Sequence, residues 1–585
     1  MKLRYCIISA ITICFFILSS TTAFSGSPNK PLNRELLAKA QPDECFYGIG
    51  GPYDPDPSCT SGLGNGLTGV PKVNQAYVWG LTKNGSKIWY GTVANMVCVV
   101  GGMLLDASPI QIDSMQTTAW ACEYGNSQYP HPLGLDLPDG MGDWRPPKVY
   151  AYDTSTGMLE DKVIPHLLIN MTWGLRSAGT LGDVVFLAGP GLGPFINMFA
   201  FKSSTGVFLG AQQFPEYTDI REWLTADGEL YAGVQNQNGT GSVIRWIGWE
   251  GDPFKFEVVG TLDASAANLA YHEGRIFVNT WPSVEQMFGG DVYTSLYMSP
   301  KIDCGLPPNG AEWTKVWSLT DYEPDWLARH YQMGGALRSY NGSLYWGTML
   351  IPVVGLLYAI QAPQLDLDAN GNGEMDIEEL VTTLLGTHRS VTLFRGKGFG
   401  TKYQKMQVLY GEKYLPVYDP AQKKYTFGND AAHLNRMPDP KPKYGHAGFN
   451  NPFNTYIWSM GVYDNKLFIG TFDWSYLFYQ GLVDMAIRPS YPELADKLTD
   501  LAKIKAPFKD FPIQFGADLY KFVNSNSPAK AESRDGVGNF SNYGVRTLVG
   551  DETGLYVGTA NAMNLLTDPY DDLPEGGWEL LRLTK

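Results

Sequence analysis

The sequence is short of long apolar runs: beyond residue 25 nothing approaches the ~20 consecutive apolar residues that a membrane helix needs, so no membrane span is expected. It is also short of positive charge. With 44 Lys and Arg against 59 Asp and Glu the formal balance is −15, which argues against nucleic acid, whose binding depends on neutralising phosphates. Histidine is scarce, and the seven at 131, 166, 272, 330, 388, 433 and 446 fall at no two- or four-residue metal spacing. The 7 cysteines match neither zinc nor haem spacing and are too few to scaffold a chain of this size, so an ordinary core must hold it. Sustained helical periodicity is nearly absent. A phosphate-binding loop is missing too, because Arg395-Gly-Lys-Gly-Phe-Gly-Thr401 has no P-loop spacing after it and reads as a turn among strands.

What is present begins with an export signal. Lys2 and Arg4 precede an apolar run from Cys6 to Leu18, and the small residues Ala23 and Ser25 stand at minus-three and minus-one of a cleavage point before Gly26. The expected mature chain therefore starts after residue 25, is more acidic still, and is secreted to an extracellular or periplasmic space. In that oxidising compartment Cys45–Cys59 and Cys98–Cys122 are the local bridges expected, with Cys304 left over.

The 65 Gly, 38 Pro and 13% aromatic residues describe many short strands joined by tight turns. One hairpin recurs. Residues 77–92 read Tyr-Val-Trp-Gly-Leu, a polar turn, then Lys-Ile-Trp-Tyr-Gly-Thr, and 456–471 repeat the pattern through Lys-Leu-Phe-Ile-Gly-Thr. Further copies end at 343–348 and 554–559, with weaker ones at 229–234, 275–280 and 183–189. Each unit reads as a small antiparallel sheet, apolar on both faces, that must stack on neighbours, with glycine allowing close backbone approach. The pattern resembles the β-propeller superfamily, most closely the repeats of sensor-type and quinoprotein-type propellers. That resemblance implies an all-β fold of seven blades of four-stranded antiparallel sheet; the alternative is an array of β-sandwiches. The expected organisation is a signal at 1–25, an extension at 26–70 and the propeller at 71–585, with insertions at 100–148, 361–450 and 483–512. Leu494, Leu498 and Leu501 predict a helix in the last of these.

The strongest chemical signal lies in the second insertion. Asp368, Asn370 and Asn372 stand at positions 1, 3 and 5 of a twelve-residue loop, Gly373 at 6, and Glu374 at 7 with its backbone carbonyl. Asp376 falls at 9 and Glu379 at 12. This is the EF-hand calcium pattern: alternate oxygens turned inward, a glycine where φ is positive, and a bidentate carboxylate reaching back from the next helix. Ile377, Leu380, Val381 and Leu384 predict that exiting helix, whereas Pro363 predicts an entering helix that is short or missing. With no second loop to pair with, a structural or weak calcium site is expected.

In a ring of such units the residues twelve before each repeat glycine are expected to gather at one mouth of the axis. They are Trp79, Arg221, Trp458 and Arg546, with Arg176 from a weaker copy; Asp473, Trp474 and Asn561 follow the landmark. Arginine forks beside aromatic faces and amides suit an anionic or aromatic small molecule or a glycan. The structural alternative is that the tryptophans fill the channel and the arginines pair with carboxylates. Glu222 and Asp325, beside Trp223 and Trp326, are further candidates for an acid/base pair of the kind that cleaves glycans. Two function classes follow. One is a secreted calcium-binding propeller with a binding or structural role; the other is an exported enzyme, either a polysaccharide hydrolase or lyase or a quinone-dependent oxidoreductase.

Overall fold

The computed structural model describes residues 31–48, 69–106, 114–117, 119–125, 127–302, 306–307, 312–362, 364–482, 514–568 and 575–585. The expected export signal, Cys59, Cys304 and the helix expected at 483–512 lie outside these residues. Among those described, no helix is long and apolar enough to cross a membrane.

The fold is all-β and divides into two compact units, one built mainly from 216–474 with 520–530, the other from 28–215 with 475–519 and 531–585. In the first unit, antiparallel meanders run Tyr217–Ala226, Glu229–Asn236, Gly241–Trp246, Phe256–Leu262, then Ser265–His272, Arg275–Trp281, Ser295–Met298, Thr314–Ser318. A third joins Met333–Tyr340, Ser343–Met349, Leu393–Lys397 and Lys405–Tyr410, and a fourth is built on Asn454–Tyr463 and Lys466–Asp473, continuing into Leu519–Phe522. The second unit holds three. Gln75–Asn84, Lys87–Ala94, Val149–Asp153 and Met158–Asp161 form one; Ser177–Leu181, Val184–Pro190, Ile196–Lys202 and Phe208–Phe214 the next. In the last, Gly544–Asp551, Gly554–Ala560 and Glu579–Thr584 are completed by Asn33–Lys39, which pairs antiparallel with Glu579–Thr584. The stretch 26–70 is therefore not wholly an extension before the sheets. An unsatisfied edge on Glu579–Thr584 finds its ladder partner in residues 33–39 rather than in a neighbouring sequence.

Local chemistry explains the meanders. Two-residue turns at Asp227–Gly228, Asn341–Gly342 and Asp464–Asn465 have positive φ at both residues, the geometry that matches strand twist. Every repeat segment, from 183–189 to 554–559, falls on the second strand of a meander, and within each unit the first strands of adjoining sheets lie side by side. Tyr231, Val243 and Val259 of one sheet meet Leu269, Ile276 and Val278 of the next in a shared core. The repeat glycine sits where sheets approach: a Cβ on Gly347 would lie 2.6 Å from that of Ile457. Gly347→Val is expected to destabilise the first unit by about 1–3 kcal/mol through overpacking, read as a lower calorimetric melting point.

Insertions leave from the second strands. Helices Met96–Asp106, Val284–Gly289, Val354–Gln361 and Ser475–Leu482 each follow a repeat strand within a few residues. Cys98 and Cys122 form a disulfide that staples the first insertion, as the spacing predicts, and Cys45 is also disulfide-bonded, to a partner outside the described residues.

Candidate functional site

The insertion between Ser343–Met349 and Leu393–Lys397 contains a helix, a loop and a second helix. The entering helix is short, eight residues over Val354–Gln361, and ends two residues before Pro363, whose ring disfavours helical conformation in the residue preceding it. The exiting helix, Ile377–Thr387, starts from a reciprocal capping box in which Asp376 accepts from Glu379 N and Glu379 accepts from Asp376 N. Leu356 of the first helix and Leu380 of the second pack together over Met375, Val381 and Leu384.

Between them the loop turns its side-chain oxygens on its own backbone. Asp368 accepts from Asn372 N at 3.0 Å and Gly373 N at 2.9 Å, Asn370 Oδ1 from Asn372 N at 3.0 Å, and Asn372 Oδ1 from Glu374 N at 2.8 Å. Glu379, 7% exposed, reaches back to accept from Ala369 N at 2.7 Å and Asn370 N at 3.1 Å. Gly373 has φ +82°, the left-handed value the pattern demands at position 6. The donor set is all oxygen, which suits a hard cation such as calcium. The carboxylates are nevertheless spread. Among the described residues the group of acid, thiol or imidazole atoms lying within 4.8 Å of one another is Cys98, Cys122 and Asp143, two of them in the disulfide; the loop at 368–379 draws two of its six donors from asparagine amides and one from a backbone carbonyl.

The exiting helix is braced within itself and against the segment 323–331. Thr383 Oγ1 donates to Glu379 O and Thr387 Oγ1 to Thr383 O, and Tyr331 donates to Thr387 O at 2.8 Å. Two residues past the helix, Arg389 grips Glu323 through Nε at 2.8 Å and Nη2 at 3.2 Å, with Nη1 donating to the carbonyls of Gly386 and His388. Both charged groups are buried. The same clamp closes the first insertion in the other unit: Arg145 grips Glu44 and Glu123, and its Nη1 donates to the carbonyls three and one residues before it, Gly142 and Trp144. Lys72, fully buried, bridges Glu123 and Asp143 there. These clusters escaped the sequence reading, since their members lie far apart in the chain with no fixed spacing.

The residues expected at a channel mouth share a structural identity. Trp79, Arg221, Trp458 and Arg546 are each the extra residue of a β-bulge in the first strand of their sheet, between register pairs such as Val78↔Thr92 and Gly80↔Gly91. Ala267 occupies the same place in Ser265–His272 but was missed, because Asn279 stands where the repeat glycine is expected. In the second unit the Arg176 guanidinium lies 5.4 Å from the centroid of Trp79, and Arg546 Nη2 donates to Arg176 O at 3.4 Å, so these three come together. Asn561 is buried, donating to Ser541 Oγ, Asn542 Oδ1 and Glu575 O. In the first unit Arg221 stacks 3.2 Å from the centroid of Trp281, and Trp458 packs edge-on against Tyr456 and Phe472. Asp473 accepts from Asn451 Nδ2 at 2.7 Å, and Trp474 packs against Phe453 and His388.

Glu222 and Asp325 turn to different cations. Glu222 lies near the half-buried Arg338, whereas Asp325, fully buried, accepts from Ala328 N and Tyr418 N beside Arg389. Burial pushes the Asp325 carboxyl up to about 6 against the pull of that guanidinium.

No family model matches the chain, and no curated protein does. Among solved structures, it is similar at TM-score 0.28 and 10% identity to an exo-β-1,3-galactanase from Phanerochaete chrysosporium, covering 54% of this chain and 60% of that one. The β-propeller domain of the Trilobed protease from Pyrococcus furiosus aligns at TM-score 0.25 and 9% identity over 59% of this chain and 89% of the other. An α-L-arabinofuranosidase from Clostridium thermocellum aligns at 0.26 and 14% over 57% and 93%. Likeness at that level carries no argument here.

Proposed function

We propose that this chain is an exported β-propeller of seven four-stranded blades that binds one calcium ion at 368–379 and has a binding or structural role. The calcium reading rests on one observation: Asp368, Asn370, Asn372 and Glu379 turn their oxygens into a single loop whose Gly373 has the required left-handed φ. Asp368, Asn370, Asn372, the Glu374 carbonyl, Asp376 and Glu379 would hold the ion. The propeller reading is supported by meanders whose first strands adjoin and by the sheet completed from residues 33–39. Export is supported by the Lys2-to-Ser25 pattern and by the disulfide at Cys98–Cys122.

Calcium would fix the loop against a helix already clamped at Arg389, so its effect is on the rigidity of the insertion. An ion held only by the folded chain is expected to stabilise it by roughly 1–3 kcal/mol at extracellular calcium levels. Titration calorimetry should find heat with wild type and none with Glu379→Gln, and calcium should raise the melting point of wild type alone. Absence of heat with wild type sinks the proposal. The enzyme reading has less behind it, because Asp325 is fully buried and the mouth arginines Arg176 and Arg221 already lie on tryptophan faces. Amino-terminal sequencing of the exported protein tests the cleavage before Gly26.

A further inference from the structure

We propose that the face of the hairpin Leu393–Lys397/Lys405–Tyr410 is a binding site for an acidic oligosaccharide, its anionic group held between Lys397 and Lys405. Register puts these two lysines directly opposite each other, with Arg395 opposite Gln407 on the same face. Like charges directly across a ladder are unfavourable, and neither lysine forms an ion pair among the described residues, so the pair lacks the counter-charge that would relieve it. The whole stretch from Arg395 to Lys405 holds four cations and no carboxylate, in a chain with 59 acidic residues. An anion completes the arrangement.

The surroundings specify the rest of the ligand. The lysines open onto a cavity of about 830 Å³ within the first unit, whose other walls include Asn341, Gln404, Ser525 and Asn526. Arg395 is spent on holding these walls: it donates to Ser525 O and to Gln407 Oε1, while Asn341 Nδ2 donates to Ser525 Oγ. Asp439 is the one carboxylate in the lining, and its Oδ1 accepts from Lys441 N. A tetrahedral inorganic ion would use a small part of this volume, whereas amides and hydroxyls around a cationic pair match a hydroxyl-rich anion. At the tip of the turn, next to Gln404, Tyr403 is 70% exposed, with the Lys402 ammonium 5.1 Å from its ring centroid. An exposed ring beside hydrogen-bonding groups suits the apolar face of a sugar. A single-stranded nucleic acid asks for a run of stacking rings, and only Tyr403 is offered.

This site is independent of the calcium loop and of the bulge residues. Titration calorimetry on the full chain, with an oligogalacturonate, a heparin-derived oligosaccharide, neutral dextran, inorganic sulfate and an oligothymidylate as probes, tests it. Expected are binding of one or both acidic oligosaccharides that weakens as salt is raised, no heat with dextran, and at least tenfold weaker binding for Lys397→Gln and for Lys405→Gln. Either substitution should also raise the melting point of the free protein, since it relieves the opposed charges; this shows that loss of binding is not loss of fold. Tyr403→Ala should weaken the oligosaccharide and leave sulfate unchanged. Silence with both acidic oligosaccharides, equal affinity for sulfate alone, preference for the oligothymidylate, or unaltered affinity in the double lysine variant each overturns the proposal.

Discussion

Arg389→Met is expected to lose about 3–5 kcal/mol of unfolding free energy, because it strands the Glu323 carboxylate in the interior without its cation. Glu323 would keep the N–H of Asp325 and the amide of Gln332 as donors, which do not replace a bidentate guanidinium. The loss is largely the penalty of an isolated buried charge, so the double variant Arg389→Met with Glu323→Gln should recover most of it. Urea unfolding followed by tryptophan fluorescence measures both, and a double variant as unstable as the single one would show that the guanidinium acts by bracing the carbonyls of Gly386 and His388. Arg145→Met predicts a comparable loss in the other unit, where Glu44 and Glu123 would be stranded and Lys72 alone would remain to neutralise them.

The second large effect is a dependence on pH carried by His388, the residue that ends the exiting helix. Its ring is partly buried against Trp474, its Nε2 donates to Pro452 O at 2.9 Å, and burial together with neighbouring Arg389 lowers its pKa from 6.5 to about 4. Below 6.5 the unfolded chain binds a proton that the folded chain refuses, so stability is intact above 6.5 and falls as the pH drops towards 4. After allowing for the part of the ring that meets solvent, the loss is about 2 kcal/mol. Asp325 acts in the opposite sense: with its carboxyl raised to about 6 it takes up a proton first in the folded state, which favours folding as the pH falls from 6 to 3.8. The comparison that isolates the imidazole is therefore wild type against His388→Gln. The difference in stability between them should shift by about 2 kcal/mol in favour of the variant between pH 7.5 and 4, and a constant difference would refute the assignment.

The strand repeat was legible because it is local: an aromatic strand ending in Gly-Thr, a two-residue turn and a preceding strand all lie within some sixteen residues. The left-handed turn at Gly373 and the helix after it were legible for the same reason, each being specified by position in a twelve-residue pattern. Residues 33–39 were not, since nothing near Leu36 or Ala38 announces that their ladder partners are Leu581 and Leu580. The buried clamps were hidden likewise: Glu323 meets Arg389, and Glu44 meets Arg145, only after whole insertions have folded back. Arg395-Gly-Lys-Gly-Phe-Gly-Thr401 was read correctly as a turn among strands, but that Lys397 faces Lys405 depends on register, which spacing alone did not fix.

The pairing of Asn33–Lys39 with Glu579–Thr584 sets an order of assembly. The early strand is made long before its partner exists, so one sheet stays open at its edge until the last residues of the chain are in place. A chain clipped before residue 579 would leave the backbone of Asn33–Lys39 without its ladder partner, an open edge by which a truncated molecule differs from a whole one.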